Sequence, residues 1–440
     1  MAEAPKKIGI IGGGYAGLTA ALRLAQAGHD VTVWERGKLG GQAATMPIND
    51  THIEIFYHHL FQSDVYIQGL AKELGLEDDL MWLPSDVAYF ADGRILPLNG
   101  AFDLLKLNII PIWDRIRVGL VTLWLQRQKQ WKHYEGITAH DWLTRALGRN
   151  AYEKTLGAQL KAKFGSYYDR VSMVWFWGKI SLRTTSRENP MEQEKLGYFK
   201  GSFQVFANAL IEACRDTGVT LNEQTGIESL NQTGDGSWQV NTSAGPTEMD
   251  IVLATTPSTI FQKLVPNLPD DYTSSLNALE YEGAIVTLLE LDHQLTETYW
   301  LNIADDDMPF TAVVEHTNFV GPETYQGSHL VYLSKYVEQD HPYFDLSDDE
   351  ILAEYLPHLR KLNPDFDESW IKNRWMFRER AAQPIPPLHY SKKIPDLKTP
   401  LQNLWLANTT QIYPEDRGTN YAVRLGEDVS KRILDDIAKG

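Results

Sequence analysis

Gly12, Gly14 and Gly17 stand in the spacing G-x-G-x-x-G within the run Ile8-Gly-Ile-Ile-Gly-Gly-Gly-Tyr-Ala-Gly17, and Glu35 follows 18 residues after the third glycine. These residue types at this spacing suit the binding of a dinucleotide. Gly12 permits a tight turn out of a strand, Gly14 removes the side chain where a pyrophosphate approaches the backbone, and Gly17 lets a helix pack close to its strand. The N–H groups at the helix start, Ala16 among them, face the phosphates together with the positive end of the helix dipole. Glu35 then falls where a carboxylate accepts hydrogen bonds from both ribose hydroxyls. The bland alternative is a glycine-rich turn with no ligand.

The elements that position these residues are short and local. Ile8 to Ile11 make a buried strand, and Leu18, Ala21, Leu22 and Ala25 repeat at helical spacing. Ala27-Gly28 ends the helix, and Val31 to Trp34 form a second strand that ends in Glu35. With 440 residues, two or three domains are expected. An aromatic share of 11%, with 13 Trp, points to a large apolar cavity or dense aromatic packing. The net charge of −17 argues against a nucleic-acid partner and against general attraction to anionic membranes. A single cysteine, Cys214, excludes an internal disulfide and fits a reducing compartment. Met1 to Lys7 has no signal-peptide core, no run of about 20 apolar residues appears, and a cytoplasmic location is expected. No metal site is expected, because the histidines lack i, i+4 pairing with an acid and one cysteine builds no thiolate cluster.

After Glu35 the chain reads Arg36-Gly-Lys-Leu-Gly-Gly-Gln42, and the pair Gly40-Gly41 resembles the second phosphate motif of flavoproteins. The sequence here resembles the FAD-dependent amine oxidase, protoporphyrinogen oxidase and phytoene desaturase superfamily. The resemblance continues through Gly197-Tyr-Phe-Lys-Gly-Ser-Phe203, Asp250-Ile-Val-Leu-Ala-Thr-Thr-Pro257, Asn403-Leu-Trp-Leu-Ala-Asn-Thr409 and Gly418-Thr-Asn-Tyr-Ala-Val-Arg-Leu-Gly426. It implies non-covalent FAD, held by Gly12, Gly14, Ala16, Gly17, Glu35, Arg36, Lys38, Gly40, Gly41 and Gln42, and by the closing residues Asn408, Gly418, Thr419 and Asn420. Three positions depart from the family pattern. Lys38 is the only base comparable to the arginine usual before the glycine pair, Gln42 stands where a second arginine is common, and Ala407-Asn408 replaces Gly-Asp or Gly-Glu. Asn408 keeps an amide able to bond ribityl hydroxyls.

The fold this implies is α/β: a Rossmann-like FAD-binding domain with a parallel sheet in three layers, carrying an inserted α+β substrate domain. Residues 1–83, 197–268 and 396–440 are assigned to the first, and 84–196 and 269–395 to the second. Within the inserts, Asp92-Gly93 reads as a hairpin turn, helical patterns run from Phe102 to about Arg187, and strands are expected at Ala284–Leu291, Phe310–Val314 and His329–Lys335 before a helix near Glu350–Leu362. Arg380 to Pro387 is expected to return the chain to the flavin domain.

Four residues are candidates for chemistry. His58 and His59 lie in a segment that passes the flavin face in the resembled family; they could orient substrate or act as a base, or be packing imidazoles bonded to backbone. Arg417 could stabilise a reduced flavin anion or bind a carboxylate or phosphate, or else pair with Glu415 or Asp416. Tyr421 could wall the substrate channel or pack in the core. Glu54 could be a buried partner or, from the alternation around it, face solvent. Trp175-Phe-Trp177 reads as interhelical core more readily than as pocket lining. The apolar-rich stretch 108–126 is either a helix packed under the substrate domain or a peripheral membrane contact.

The expected function is FAD-dependent oxidation, with hydride abstracted from a C–H of a small or apolar substrate and passed to flavin N5. Two other readings are a redox-neutral, nucleotide-sugar mutase-like use of reduced FAD, for which Arg183, Arg187, Arg378, Arg380, Arg417 and Arg424 are available, and a non-catalytic prenyl-binding chaperone. The substrate, the electron acceptor and the oligomeric state are not readable from the sequence.

Overall fold

The computed structural model describes residues 4–185 and 193–439, with the backbone alone for 182–185. Five short strands form a parallel sheet in the spatial order Leu404–Leu406, Ile251–Ala254, Lys7–Ile11, Asp30–Trp34, Thr220–Asn222. Strand alternation sends Ile8, Ile10, Val31, Val33 and Leu253 to one face and Ile11, Trp34, Val252 and Ala254 to the other. On the first face lie the helices Tyr15–Gln26, Phe203–Asp216 and Thr419–Ile437. The second face is covered by an antiparallel meander of Ile227–Gln232, Trp238–Thr242 and Gly245–Met249, whose Leu230, Trp238 and Val240 are buried against it. The three layers are therefore helices, parallel sheet and meander. All three strands that lead into the glycine and closing motifs end on the same edge of this sheet, where α/β folds bind their ligands.

The second large sheet has seven strands, in the order Ile371–Pro384, Tyr281–Leu291, His329–Val337, Ala312–Glu315, Trp300–Ile303, Val87–Ala91, Arg94–Pro97. Its pairs are antiparallel except Trp300–Ile303 with Val87–Ala91. The hairpin at Asp92-Gly93 forms as expected, with φ of 52° and 68° at the two turn residues, the positive pair that a two-residue turn requires. Strand Tyr281–Leu291 is buried along its whole length. Val286 and Leu288 join the core of the nucleotide-binding half, while Ile285, Leu289 and Leu291 join a second core under helix Asp348–Leu362. That helix opens on a capping box, Ser347 with Glu350.

Two segments carry more than was expected of them. Of 380–387, expected to return the chain to the flavin domain, 380–384 are the end of a 14-residue strand, Ile371–Pro384, before the chain reaches Leu404–Leu406 in the parallel sheet. Strand Ile371–Pro384 lies at the sheet edge, and its charges pair outward, Arg374 with Asp349 and Arg378 with Asp348. The stretch 108–126 becomes helix Ile112–Arg127, but only Val118 and Leu125 of that helix are buried. Trp113 is 77% exposed and Leu120 62%, and Phe102 on the preceding helix is 67% exposed, so the helix packs on the cap core by one face and presents the other outward. Helices Ala139–Leu147, Leu156–Phe164 and Met173–Thr185 complete the helical cap, with Leu143, Leu160 and Phe176 in its core. Among the described residues no helix is long and apolar enough to cross a membrane.

Candidate active site

The two glycine motifs are docked on each other. Gly12 has φ of +110°, and a Cβ there would sit 2.4 Å from the Thr255 hydroxyl; a Cβ on Gly17 would sit 2.1 Å from the Gly12 carbonyl oxygen. Gly40 N–H donates to the Gly13 carbonyl at 2.8 Å, Gly14 and Gly40 form a β-bridge, and a Cβ on Gly41 would lie 2.9 Å from the Gly14 Cα. Gly14 ends in extended conformation and starts helix Tyr15–Gln26 with no side-chain cap, which leaves first-turn N–H groups for an anion. A Cβ on Gly14 would meet nothing nearer than the Gly41 Cα at 3.8 Å, so the space beside it is open. This is the cradle a pyrophosphate needs. Glu35 is braced beside it, accepting from Gly13 N–H at 2.8 Å and Gly37 N–H at 2.7 Å. Arg36 and Lys38 are exposed. The Gln42 amide donates to the Ala381 carbonyl at 3.3 Å, tying the glycine pair to the substrate sheet.

The closing helix Thr419–Ile437 lies directly across helix Tyr15–Gln26. Gly426 makes that approach possible, since a Cβ there would fall 2.6 Å from the Ala16 carbonyl oxygen. Arg23 locks the contact by bonding Glu427 at 2.8 Å and Glu73 at 2.6 Å. Gly418 starts the helix, again without a side-chain cap, with Thr419 buried in its first turn. Asn420 accepts from Tyr66 N–H at 2.9 Å and Ile67 N–H at 3.2 Å, capping the helix that follows the histidines. Asn408 donates to the Thr256 carbonyl at 3.0 Å and to Ser258 at 3.2 Å, and accepts from Thr410 N–H at 3.0 Å. The side-chain amides of both asparagines therefore brace the loops around the slot, and that of Asn408 is not the free amide expected for a ribityl chain.

Three of the four candidates for chemistry are held by packing. His58 brings Nδ1 to 2.5 Å from the Phe56 carbonyl, and burial lowers its pKa to about 4, so the ring is neutral. His59 brings Nδ1 to 3.0 Å from the Tyr299 hydroxyl and sits edge-on to Trp300 and Phe61. Tyr421 is buried under the Arg424 guanidinium, 4.7 Å away. Glu54 is fully buried, accepting from the Tyr198 hydroxyl at 2.8 Å and Phe203 N–H at 2.8 Å; desolvation pushes its carboxyl up to about 7. Cys214 is buried too, its thiol directed at the Leu18 carbonyl and pushed up to about 12 by burial.

Arg417 is different. The acids expected to neutralise it are taken: Glu415 by both nitrogens of Arg424 at 3.0 Å, and Asp416 by Lys179 at 2.5 Å. Arg417 keeps one long contact, Nη2 to the Tyr336 hydroxyl at 3.4 Å, and its Nε is buried without a partner. It lines a cleft with Trp175, Pro384, Pro386, Tyr413 and Asp416. Trp175 is thus both cap core and cleft wall. Lys163 holds its ammonium 4.2 Å over the Tyr336 ring. Burial alone would raise the Tyr336 phenol, but the charges of Lys163 and Arg417 outweigh it and hold the phenol below its ordinary value. Glu282 and Gln383 face each other across two strands, 1% and 0% exposed, with Glu282 Oε2 and both polar atoms of Gln383 unpartnered. Lys163, Tyr336, Glu282 and Gln383 come from four separate elements and carry no local motif, so the sequence offered no signal for them. Of the arginines available for a sugar diphosphate, Arg378, Arg380 and Arg424 are paired with Asp348, Asp345 and Glu415, while Arg187 and the Arg183 side chain lie outside the described residues. Among the described residues no group of three or more His, Cys, Asp or Glu side chains is placed to hold a metal.

A parallel sheet with a double glycine cradle at its ligand edge, closed by a C-terminal helix under a second domain, defines a FAD-dependent oxidoreductase. The chain belongs to the family of flavin-containing amine oxidoreductases, whose model matches residues 15–434. It is 25% identical over 388 residues to a 15-cis-phytoene desaturase of Glycine max, a match covering 82% of this chain and 66% of that one. The chain thus spans just under two thirds of that relative's length. Among solved structures it is similar to a protein described provisionally as a protoporphyrinogen oxidase from Exiguobacterium sp. 255-15, with a TM-score of 0.78, 18% identity and coverage of 98% and 99% of the two chains. It is also similar to reduced UDP-galactopyranose mutase, with a TM-score of 0.74, 15% identity and coverage of 98% and 96%.

Proposed function

We propose that the protein oxidises a C–H bond of a small-molecule substrate, with non-covalently held FAD as hydride acceptor. In this reading residues 1–83, 197–268 and 396–440 hold the cofactor, and 84–196 and 269–395 enclose the substrate. The observation that carries it is the interlocked cradle of Gly12–Gly17 with Gly40-Gly41, closed by the helix that Gly426 brings against Ala16. The first-turn N–H groups after Gly14 would take the pyrophosphate and Glu35 the ribose. Bound there, the flavin supplies the two-electron chemistry. The chain's own part is to position the substrate and to exclude water. The cap core around Trp175, Phe164 and Met173 supplies the dry wall, and Arg417 supplies fixed positive charge beside the cleft. The pairing of Arg378, Arg380 and Arg424 removes three of the six arginines the mutase-like reading draws on, and the intact cradle disfavours the non-catalytic one.

The purified protein should be yellow, and acid precipitation should release its flavin into the supernatant. A panel of amines, polyisoprenoids, porphyrinogens and nucleotide sugars, added without oxygen, should contain a compound that bleaches the flavin. A colourless protein that stays colourless after incubation with FAD would end this reading.

We also propose a peripheral membrane contact through 108–126. Support comes from Trp113, Ile116, Leu120, Leu123 and Trp124, which are all exposed on one helix next to Phe102 and Leu105. Co-sedimentation with phosphatidylcholine vesicles should fall when Trp113 and Leu120 are both changed to Glu. Equal sedimentation of the two proteins counts against it.

A further inference from the structure

We propose that the side-chain cluster of Arg417, Lys163, Tyr336, Glu282 and Gln383, next to the cleft that Arg417 lines, is an oxyanion-recognition subsite, so that the substrate carries a carboxylate or phosphoryl group. This deepens the function proposed above and rests on it for the identity of the ligand as substrate. Unmatched charge and unpartnered polar groups meet here. Lys179 and Asp416 neutralise each other at 2.5 Å. Glu415 is held by Arg424. That leaves Arg417, with Nε buried and unpartnered, and Lys163, which makes no ion pair among the described residues and holds its ammonium over the rings of Tyr336 at 4.2 Å, Trp175 at 5.6 Å and Phe164 at 5.8 Å. Glu282 is the buried acid within reach of both cations, and burial pushes its carboxyl up to about 8 against the opposing pull of Lys163 and Arg417, with Asp416 and Glu338 adding to the rise. At neutral pH it is therefore protonated and donates.

The inventory is then two cations without an ion pair among the described residues, Arg417 and Lys163, and two unpartnered neutral groups, the Glu282 carboxyl and the Gln383 amide, beside the Tyr336 hydroxyl, which already meets Arg417 and Tyr57. Glu282 and Gln383 lie directly opposite one another in the strand pair, so their side chains share a face of the sheet. Buried donors without acceptors, and buried charges without counter-charges, are costly. A planar or tetrahedral oxyanion satisfies all of them together, with the guanidinium as its directional partner. A pure hydrocarbon satisfies none of them, and an ammonium group meets two like charges.

The test is calorimetric titration of the flavin-loaded protein, without oxygen, with four probes of matched shape: phenylacetate, phenylphosphonate, phenylacetamide and phenethylamine. At least one of the two oxyanions should bind about tenfold or more tightly than both the amide and the amine. The better of the two identifies a carboxylate or a phosphoryl substrate. Arg417→Met and Lys163→Met should each remove the preference while keeping the wild-type circular-dichroism spectrum. If a variant fails to fold, the ranking with the unaltered protein still decides. An amide or amine that binds as tightly as the oxyanions, or the absence of binding by all four, overturns the proposal. Flavin content is read separately from visible absorbance, so loss of the flavin reading and loss of the oxyanion reading are distinct results.

Discussion

Alanine at Gly14 and alanine at Gly17 should do opposite things, although both lie in one motif. At Gly17 the new methyl falls 2.1 Å from a backbone oxygen, and the helix must move by about 1 Å to relieve it. Overpacking of that kind costs about 3 kcal/mol, and the cost falls on the fold itself. At Gly14 the methyl meets only the Gly41 Cα, at an ordinary 3.8 Å. The cofactor-free protein should lose no more than about 1 kcal/mol, from the poorer helix start. The methyl instead occupies the space the pyrophosphate needs. Loss of one or two charge-assisted hydrogen bonds there should weaken FAD binding by about 10- to 100-fold. Urea unfolding of flavin-stripped protein measures the first quantity, and FAD titration followed by fluorescence quenching measures the second. If Gly14→Ala binds FAD like the parent, or is the less stable of the two variants, the cradle has been misread.

The Glu54 carboxyl ionises at about 7 in the folded protein against 4.5 as the ordinary value. The stability tied to its proton is therefore complete below pH 4.5, declines as the pH rises toward 7, and is gone above it. Glu54→Gln should match the parent near pH 4.5 and exceed it at pH 8 by up to about 3 kcal/mol, as read from thermal melts across that range; a constant gap at all pH values would contradict the burial argument. Arg23→Ala should cost about 1–2 kcal/mol in urea unfolding, because it unties three helices from one guanidinium. Asn408→Asp should cost about 1–3 kcal/mol, since it sets an acceptor against the Thr256 carbonyl, and a neutral result would show that the loop does not depend on that bond.

The nucleotide-binding half was legible because its determinants are local. A turn, a cap and a strand alternation are each written in a few adjacent residues, and Lys7–Ile11 and Tyr15–Gln26 form where Ile8–Ile11 and the Leu18 periodicity placed them. Strand Ile371–Pro384 was not legible. Lys372, Arg374, Arg378 and Arg380 keep the two-residue period, but the run Trp375-Met-Phe377 between them interrupts the polar–apolar alternation, and the partners Asp348 and Asp349 come from another helix. The cleft was legible at one residue, Arg417, because its position depends on the closing motif. Its neighbours Lys163, Tyr336, Glu282 and Gln383 converge only through tertiary packing. His58 and His59 carried a chemical type suited to catalysis, yet a carbonyl and a phenol engage their rings; a sequence reports a side chain's capacity and leaves its occupation unstated.

Strand Tyr281–Leu291 belongs to two cores at once, through Val286 and Leu288 on one side and Ile285 and Leu289 on the other. A clamshell motion would need to tear one of those cores open at every turnover. Traffic to and from the cleft therefore calls for local yielding and not for a rigid swing of one half against the other.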